Sequence, residues 1–251
     1  MPAQSSPKLG VLGGMGPLAT VDFLAKLVAA TPASRDEEHI PVVVWSVPQI
    51  PERVPAIAGD GPSPLPAMLE GLCALRDCGA TLAAIACNTA HHWHHALAEA
   101  SGLTLLHIAE AAGEARAARG APGSRVAVLA TRGTHQAGFY GPRLARHRLE
   151  PLPFDPDLQA SSLDPAIRAV KAGHLDAARA HAREALARER GRGAQAVLLA
   201  CTELPLAFAG LDSHGLAVVD ATEALAQACV RHWRKDPPSA GPGTPPGGER
   251  G

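Results

Sequence analysis

An internal repeat is the feature of this sequence that most restricts its fold. Residues 79–87 align with residues 193–201, and each segment begins with glycine, runs through small and aliphatic residues and ends in cysteine. Further upstream in each half, the apolar residues 8–13 match residues 125–130 in the same way. Each half of the chain therefore begins with a buried strand and later carries a cysteine at the end of another strand, which predicts two similar structural units.

The repeat lies within a longer alternation of apolar runs and alanine-rich stretches with a helical pattern. Near-continuously apolar strands separated by helices are typical of parallel sheets that are covered on both faces. Alanine is about one residue in five and favours helices that pack closely on a sheet. We predict buried strands at residues 9–12, 41–47, 82–86, 125–130 and 196–200, and helices at residues 19–30, 66–78, 91–101, 108–119 and 164–190.

The predicted fold class is α/β, with two pseudo-symmetric domains that are each a mainly parallel sheet flanked by helices. Ligands bind at the carboxyl ends of the strands in open parallel sheets. Both repeat cysteines, Cys87 and Cys201, stand at such ends. We therefore expect the active site in the cleft between the two domains, with one cysteine from each.

Composition excludes several classes of function. The 251 residues are 46% hydrophobic, enough for one large core or two smaller ones, and carry a net charge of -1, which argues against nucleic-acid or anionic membrane partners. Aromatic residues are only 3%, too few for a base-stacking surface. Neither an apolar run of about 20 residues nor an apolar leader at residues 1–8 is visible, which predicts a cytoplasmic protein. The Pro/Gly/Ser-rich residues 235–251 are predicted to form a disordered tail.

The five cysteines divide into two groups. An odd number argues against a disulfide framework, and Cys73, Cys78 and Cys229 have the pattern of small packing residues. Cys87 and Cys201 precede predicted helix starts, where the helix dipole and free N–H groups favour a thiolate. Two such groups on opposite walls of a cleft suit a two-base racemisation, in which one removes a proton from a carbon and the other returns one to the opposite face. Two buried structural cysteines are the alternative.

Two further motifs have weaker functional interpretations. Residues 14–19 match the dinucleotide-binding pattern G-x-G-x-x-A, but Pro17 is unusual there and no acidic residue closes the next strand. Backbone N–H groups that approach a small anion are the preferred interpretation, and a tight turn without a ligand is the alternative. His91 and His95 have the spacing of zinc ligands on a helix, but no third ligand is near. An exposed helix face with one or two packed histidines is preferred, and no metal is predicted.

Three motifs together resemble the signatures of the cofactor-independent aspartate/glutamate racemase superfamily, and most closely its aspartate racemase branch. They are residues 12–20 (LGGMGPLAT), 86–91 (ACNTAH) and 200–205 (ACTELP), and the resemblance covers residues 8–233. It implies two pseudo-symmetric α/β domains, with the last helix returning to the first. We predict a first domain at residues 8–115 with 211–234, and a second at residues 116–210.

The resemblance implies that Cys87 and Cys201 are the catalytic residues, that Cys201 deprotonates the L-amino acid and Cys87 the D-form, and that neither pyridoxal phosphate nor metal is needed. Residues 51–53 (PER) and 167–173 (IRAVKAG) resemble motifs whose Arg and Lys bind a distal carboxylate, although Glu52 stands where aspartate is usual. The substrate-binding residues so implied are Gly14, Met15, Arg53, Asn88, Thr89, Thr131, Thr134, Lys171, Thr202 and Glu203.

The resemblance leaves other functions open. Cys-Thr-Glu at residues 201–203, where glutamate racemases have Cys-Thr-His, favours aspartate or a broader range of amino acids. The alternatives are a broad-specificity or glutamate racemase, a decarboxylase or isomerase of the same superfamily, and a non-catalytic relative that binds small molecules. A thiol-redox protein is disfavoured, because the two cysteines belong to separate domains. A homodimer is one assembly that the resemblance allows, and Tyr140 is expected to pack near the cleft or to anchor a helix.

Overall fold

The computed structural model describes residues 8–120 and 122–235 as strands and helices in regular alternation. Within these residues no helix is both long enough and apolar enough to cross a lipid bilayer. The strands are β1 (Lys8–Gly13), β2 (Val42–Ser46), β3 (Ala80–Ile85), β4 (Thr104–Leu105), β5 (Arg125–Ala130), β6 (Glu150–Pro151), β7 (Ala196–Ala200) and β8 (Ala217–Asp220).

The helices connect successive strands, as parallel pairing requires. The α-helices are α1 (Pro17–Ala30), α2 (Arg53–Ala58), α3 (Leu65–Asp77), α4 (His94–Ser101), α5 (Ile108–Ala117), α6 (Arg132–Ala137), α7 (Tyr140–Arg146), α8 (Pro156–Leu158), α9 (Asp164–Lys171), α10 (Leu175–Gly191), α11 (Leu204–Phe208) and α12 (Ala221–Lys235). Two 3-10 helices (Asp36–Glu38 and Thr89–Trp93) and one π-helix (Gln159–Leu163) complete the described elements.

Two four-stranded sheets have the same strand order. The first is β2-β1-β3-β4 and the second is β6-β5-β7-β8, and all neighbouring strands are parallel. The repeat in the sequence thus corresponds to two copies of one topology. This arrangement confirms the predicted α/β class with two parallel sheets flanked by helices.

Apolar side chains form one cluster shared by both sheets and one further cluster on the outer face of each. The shared cluster contains Val11 and Leu82 of the first sheet and Val126 and Leu198 of the second, together with residues from α1, α5, α7 and α12. Neighbouring residues on the same strands face the outer clusters, because side chains alternate along a strand. Since this shared core joins them, the two sheets are held in one fixed arrangement.

The cysteines follow the same alternation in both sheets. Ala83, Ile85 and Cys87 belong to the outer cluster of the first sheet. Val197, Leu199 and Cys201 belong to the outer cluster of the second. The two thiols therefore leave their sheets on equivalent faces, immediately beyond the carboxyl ends of β3 and β7.

Three predicted elements differ from the structure. The strand predicted at residues 41–47 is the edge strand β2, and Val44 and Trp45 are exposed rather than buried. The helix predicted at residues 164–190 is divided into α9 and α10 by a turn in which Gly173 has a φ of +79°. The helix predicted from residue 91 begins as the 3-10 helix Thr89–Trp93.

The predicted domain division differs from the pairing of the last strand. Residues 211–234 are predicted to belong to the first domain, whereas β8 pairs with β7 of the second sheet. Helix α12 then packs against α1 and α5, which belong to the half of the chain that forms the first sheet. The boundaries near residues 115 and 210 stay predictions, and the predicted tail at residues 235–251 lies beyond the described residues except for Lys235.

A tight turn after β1 brings the chain to the edge where the cysteines stand. Gly14 has a φ of +90°, and a β-carbon there would overlap the backbone of Val47. The Thr20 hydroxyl accepts a hydrogen bond from the Gly14 N–H and donates one to the Gly16 carbonyl, each at 2.9 Å. Gly13 packs directly on the Thr20 side chain, so a side chain at position 13 has no room.

We expect Gly13→Ala to lower the free energy of unfolding by about 1–3 kcal/mol, since the added methyl group overpacks a closed site. Urea denaturation measures the change. The matched control is Gly141→Ala in α7, where a β-carbon meets no atom within 4 Å. The control should be as stable as the parent protein or up to about 1 kcal/mol more stable. An equally stable Gly13→Ala protein would contradict this description of the turn.

Candidate active site

A small cavity lies where the carboxyl ends of the two sheets meet. Its volume is about 60 Å³, a few times what one water molecule occupies, so it suits a small molecule and excludes a dinucleotide. The chain segments that follow β1, β3, β5 and β7 all contribute to its wall. The lining residues are Met15, Glu52, Arg53, Val54, Cys87, Asn88, Thr89, Thr131, Ile167, Lys171, Cys201, Thr202 and Glu203.

This wall contains both repeat cysteines and most of the residues that the sequence suggested for substrate binding. Gly14 and Thr134 are not part of it. Gly14 lies at the neighbouring turn, and its N–H is already bound by Thr20. Glu52, Val54 and Ile167 line the cavity although the sequence did not single them out as site residues. The sequence could have indicated these three residues only through their positions in or beside the motifs at residues 51–53 and 167–173.

Cys201 is a buried thiol with a proton acceptor beside it. Its Sγ donates a hydrogen bond to Glu203 Oε2 at 3.0 Å, and the Thr202 hydroxyl donates to the same oxygen at 3.3 Å. Burial raises the pKa of the Cys201 thiol well above its ordinary value, and the Glu203 carboxylate raises it further. The expectation that a helix start favours a thiolate at Cys201 is therefore wrong. The helix that follows, α11, has only 5 residues, and desolvation outweighs its dipole.

His91 supports the backbone at Cys87. The His91 Nδ1–H donates to the Cys87 carbonyl oxygen at 2.8 Å, which fixes the proton on Nδ1 because a carbonyl oxygen only accepts. Burial lowers the pKa of His91 to about 3, and His94 lowers it further, so the ring is neutral. His95 is exposed on α4. Among the described residues, no group of His, Cys, Asp or Glu side chains has the arrangement of a metal site.

Asn88 is held in one orientation by a residue of helix α7, from the second half of the chain. The Tyr140 hydroxyl donates a hydrogen bond to Asn88 Oδ1 at 2.5 Å, and both side chains are buried. Burial raises the pKa of Tyr140 above its ordinary value, and Cys201 acts in the same direction, so the phenol keeps its proton. With its carbonyl engaged, Asn88 is left with a buried Nδ2 that has no partner in residues 8–120 and 122–235. That N–H₂ group is a donor available to a ligand in the cavity.

Three threonine hydroxyls form a closed ring across the same boundary. Thr89 Oγ1 lies 2.9 Å from Thr131 Oγ1 and 3.0 Å from Thr134 Oγ1, and the latter two are 3.0 Å apart. Thr131 also caps α6, because its hydroxyl accepts the Thr134 N–H at 3.1 Å. Thr134 is buried behind the other two and supports Thr89 and Thr131, whose side chains face the cavity.

Arg53 is bound chiefly to the backbone. Its Nη1 donates to the carbonyl oxygens of Ile50 and Pro51 at 3.2 and 3.0 Å, and its Nη2 donates to that of Met15 at 3.3 Å. Its Nε is buried and has no partner within the described part of the chain. The guanidinium group thus holds two loops together and keeps one N–H donor and its positive charge for a ligand.

Lys171 and Glu52 place opposite charges at the mouth of the cavity. Lys171 is the last residue of α9, and Glu52 immediately precedes α2. Both residues are exposed while contributing to the lining. Their side chains can therefore meet a ligand without first losing a buried partner.

Comparisons with known proteins agree on one family. The model of the family described as Asp/Glu/hydantoin racemase matches residues 12–229. The broad specificity amino-acid racemase RacX of Bacillus subtilis (strain 168) is 27% identical over 230 residues, which cover 88% of this chain and 96% of RacX.

Solved structures show the same fold. An aspartate racemase from Picrophilus torridus is 29% identical with a TM-score of 0.77, over 90% of this chain and 94% of that one. An aspartate racemase homologue from Pyrococcus horikoshii OT3 is 21% identical with a TM-score of 0.70, over 91% and 99% of the two chains.

The geometry around Cys201 predicts how its alkylation depends on pH. Replacing the carboxylate in Glu203→Gln removes a negative charge that raises the pKa of Cys201 and leaves a weaker, neutral acceptor for the thiol. The pH at which iodoacetamide alkylates Cys201 at half its maximal rate should therefore shift downward. Mass spectrometry of the Cys201 peptide over a pH series measures this shift, and the exposed Cys78 serves as an internal control in the same samples. An unchanged or higher midpoint would show that Glu203 does not govern this thiol.

Proposed function

The chain belongs to the Asp/Glu/hydantoin racemase family, and from this premise we propose that it interconverts L- and D-aspartate without a cofactor, with Cys87 and Cys201 as the two acid/base groups. The observation that carries the proposal is that these thiols, one from each sheet, line one cavity of amino-acid size. Neither cysteine has a disulfide partner, so both are available for proton transfer.

The chemistry demands more than two thiols. The α-proton of an amino acid is far less acidic than a free thiol, whose pKa is about 8.5. A thiolate can remove it only if the site stabilises the negative charge that develops on the substrate. Buried donors aimed at the α-carboxylate provide this stabilisation. The unpartnered Nδ2 of Asn88 and the hydroxyls of Thr89 and Thr131 are the donors suited to this role.

Burial raises the pKa of the Cys201 thiol, and the neighbouring Glu203 carboxylate can accept the proton that this thiol must lose. In the L-to-D direction the Cys201 thiol passes its proton to the Glu203 carboxylate, and the resulting thiolate takes the α-proton of L-aspartate. The Cys87 thiol then gives its proton to the opposite face of the carbon. This leaves Cys201 as a thiol and Cys87 as a thiolate, the protonation state from which the D-to-L direction starts. To start another turnover in the same direction, Glu203 releases its proton to solvent and the Cys87 thiolate takes a proton from solvent.

Two positively charged side chains in the cavity lining favour a substrate with an acidic side chain. Arg53, through its free Nε–H, and Lys171, through its ammonium group, can bind the distal carboxylate of aspartate. The resemblance to the aspartate racemase from Picrophilus torridus supports the same assignment. A broad-specificity racemase is the second candidate. Two observations favour it: Lys171 is exposed, and Arg53 already donates hydrogen bonds to three carbonyl groups. Both cations can therefore bind a substrate carboxylate only in part, so the distal end of the cavity is not specific for an acidic side chain.

The two-cysteine mechanism predicts that Cys87→Ser and Cys201→Ser each lower kcat for L-aspartate racemisation by about 10²–10⁴-fold, the usual contribution of a general acid or base. Chiral chromatography of the product measures both directions of the reaction. The exposed Cys78→Ser is the matched control and should keep the parent rate. If either cavity variant racemises aspartate at nearly the parent rate, the two-base mechanism is wrong. A parent protein that racemises no amino acid would favour a binding protein instead.

The assignment of Lys171 predicts a selective effect on acidic substrates. Lys171→Ala should raise KM for aspartate about 2–5-fold, the size expected for one solvent-exposed ion pair, and should leave KM for alanine unchanged. Arg168→Ala removes an exposed cation from the same helix but outside the cavity lining, and it should change neither KM. An equal rise in KM for aspartate and alanine would show that Lys171 does not recognise the side-chain carboxylate.

A further inference from the structure

A second, larger cavity adjoins the candidate active site. It has a volume of about 360 Å³, against about 60 Å³ for the cavity that contains the cysteines. The two cavities share five wall residues, so they are neighbouring compartments of one space. The shared residues are Met15, Glu52, Arg53, Lys171 and Glu203. We call the larger compartment the outer chamber.

The outer chamber is walled mainly by apolar side chains from three elements. Leu18 comes from the start of α1, Ile50 from the loop after β2 and Val170 from the end of α9. Leu18 is 51% exposed, so its side chain borders both the chamber and solvent. Ile50 and Val170 are buried and also belong to the lining. A flexible aliphatic group in this chamber would find apolar contacts on several sides.

All charged residues in the wall of the outer chamber are shared with the small cavity, so the charges lie where the two compartments meet. Arg53 and Lys171 are positive, and Glu52 and Glu203 are negative. Arg53 cannot turn away from the passage without breaking its hydrogen bonds to three carbonyl groups. The passage is therefore polar, with Arg53 fixed in it, and it leads from the reacting end of a ligand to a mainly apolar space.

We infer that the outer chamber is a side-chain subsite, and that the enzyme also racemises amino acids with long, unbranched aliphatic side chains. This inference rests on the proposed function for the chemistry at the α-carbon. The small cavity accommodates that carbon with its amino and carboxylate groups, and a side chain longer than that of aspartate extends past Arg53 into the outer chamber. There each methylene group loses contact with water against the apolar walls.

The test is a homologous series of L-2-aminobutyrate, L-norvaline and L-norleucine, with L-aspartate measured beside it. Full burial of one methylene group corresponds to about a fourfold gain, so kcat/KM should rise about two- to fourfold with each added methylene. The variant Leu18→Trp fills the outer chamber from a position that is already half exposed. It should lower the ratio of kcat/KM for norleucine to that for 2-aminobutyrate about tenfold.

Val21→Trp is the matched control. Val21 lies one turn further along α1, is 61% exposed and is not part of the chamber wall, so this variant should keep the parent ratio. If the protein racemises aspartate but kcat/KM does not rise along the series, the inference is overturned and the proposed function stands. The same holds if Leu18→Trp and Val21→Trp have equal ratios. If no amino acid in the panel is racemised, the proposed function fails and this inference fails with it.

Discussion

Hydrogen bonds between the segment that follows β3 and residues of the second half of the chain hold the two halves of the site together. Asn88 is bound by Tyr140, and Thr89 by Thr131, so each pair joins a residue of the first sheet's loop to one from the second half of the chain. All are buried or nearly so, and an unpaired polar group there would be costly. Together with the apolar cluster shared by both sheets, these bonds bring the thiols to one cavity, and every step of the proposed chemistry depends on that geometry.

Burial has two opposite effects on the site. It raises the pKa of Cys201, which keeps the resting thiol protonated, and it strengthens the interaction of buried donors with a developing negative charge. The Glu203 Oε2 atom lies 3.0 Å from Cys201 Sγ. In the proposed mechanism this carboxylate accepts the thiol proton when a substrate is present, so a buried thiol can still act as a base. The thiol is therefore protonated in the empty site and, in this mechanism, becomes a thiolate only when a substrate is bound. The same carboxylate lies at the passage to the outer chamber.

The fold was largely predictable from the sequence, because strands with near-continuous apolar runs and an internal repeat both leave strong local patterns. The predicted strands at residues 125–130 and 196–200 coincide with β5 and β7. The strands β4, β6 and β8 were not predicted, since runs of only two to four residues carry little periodicity. The cavity residues near the cysteines were predictable because they lie in sequence motifs. The hydrogen bond between Asn88 and Tyr140 was not predictable, because it joins positions 52 residues apart and no local pattern indicates it. The burial of Cys201, which is the main cause of its raised pKa, could likewise not be predicted from its position before a helix start.

The proposed mechanism requires two different groups to exchange protons with the two faces of the α-carbon. It is tested most directly by racemising L-aspartate in D₂O and analysing both enantiomers by chiral separation and mass spectrometry before equilibrium. With two bases, the D-aspartate formed carries deuterium at the α-carbon from the first turnovers, while the remaining L-aspartate keeps its hydrogen. Deuterium that enters the remaining L-aspartate as fast as the product, or D-aspartate that retains the original hydrogen, would show a single base and would contradict the account.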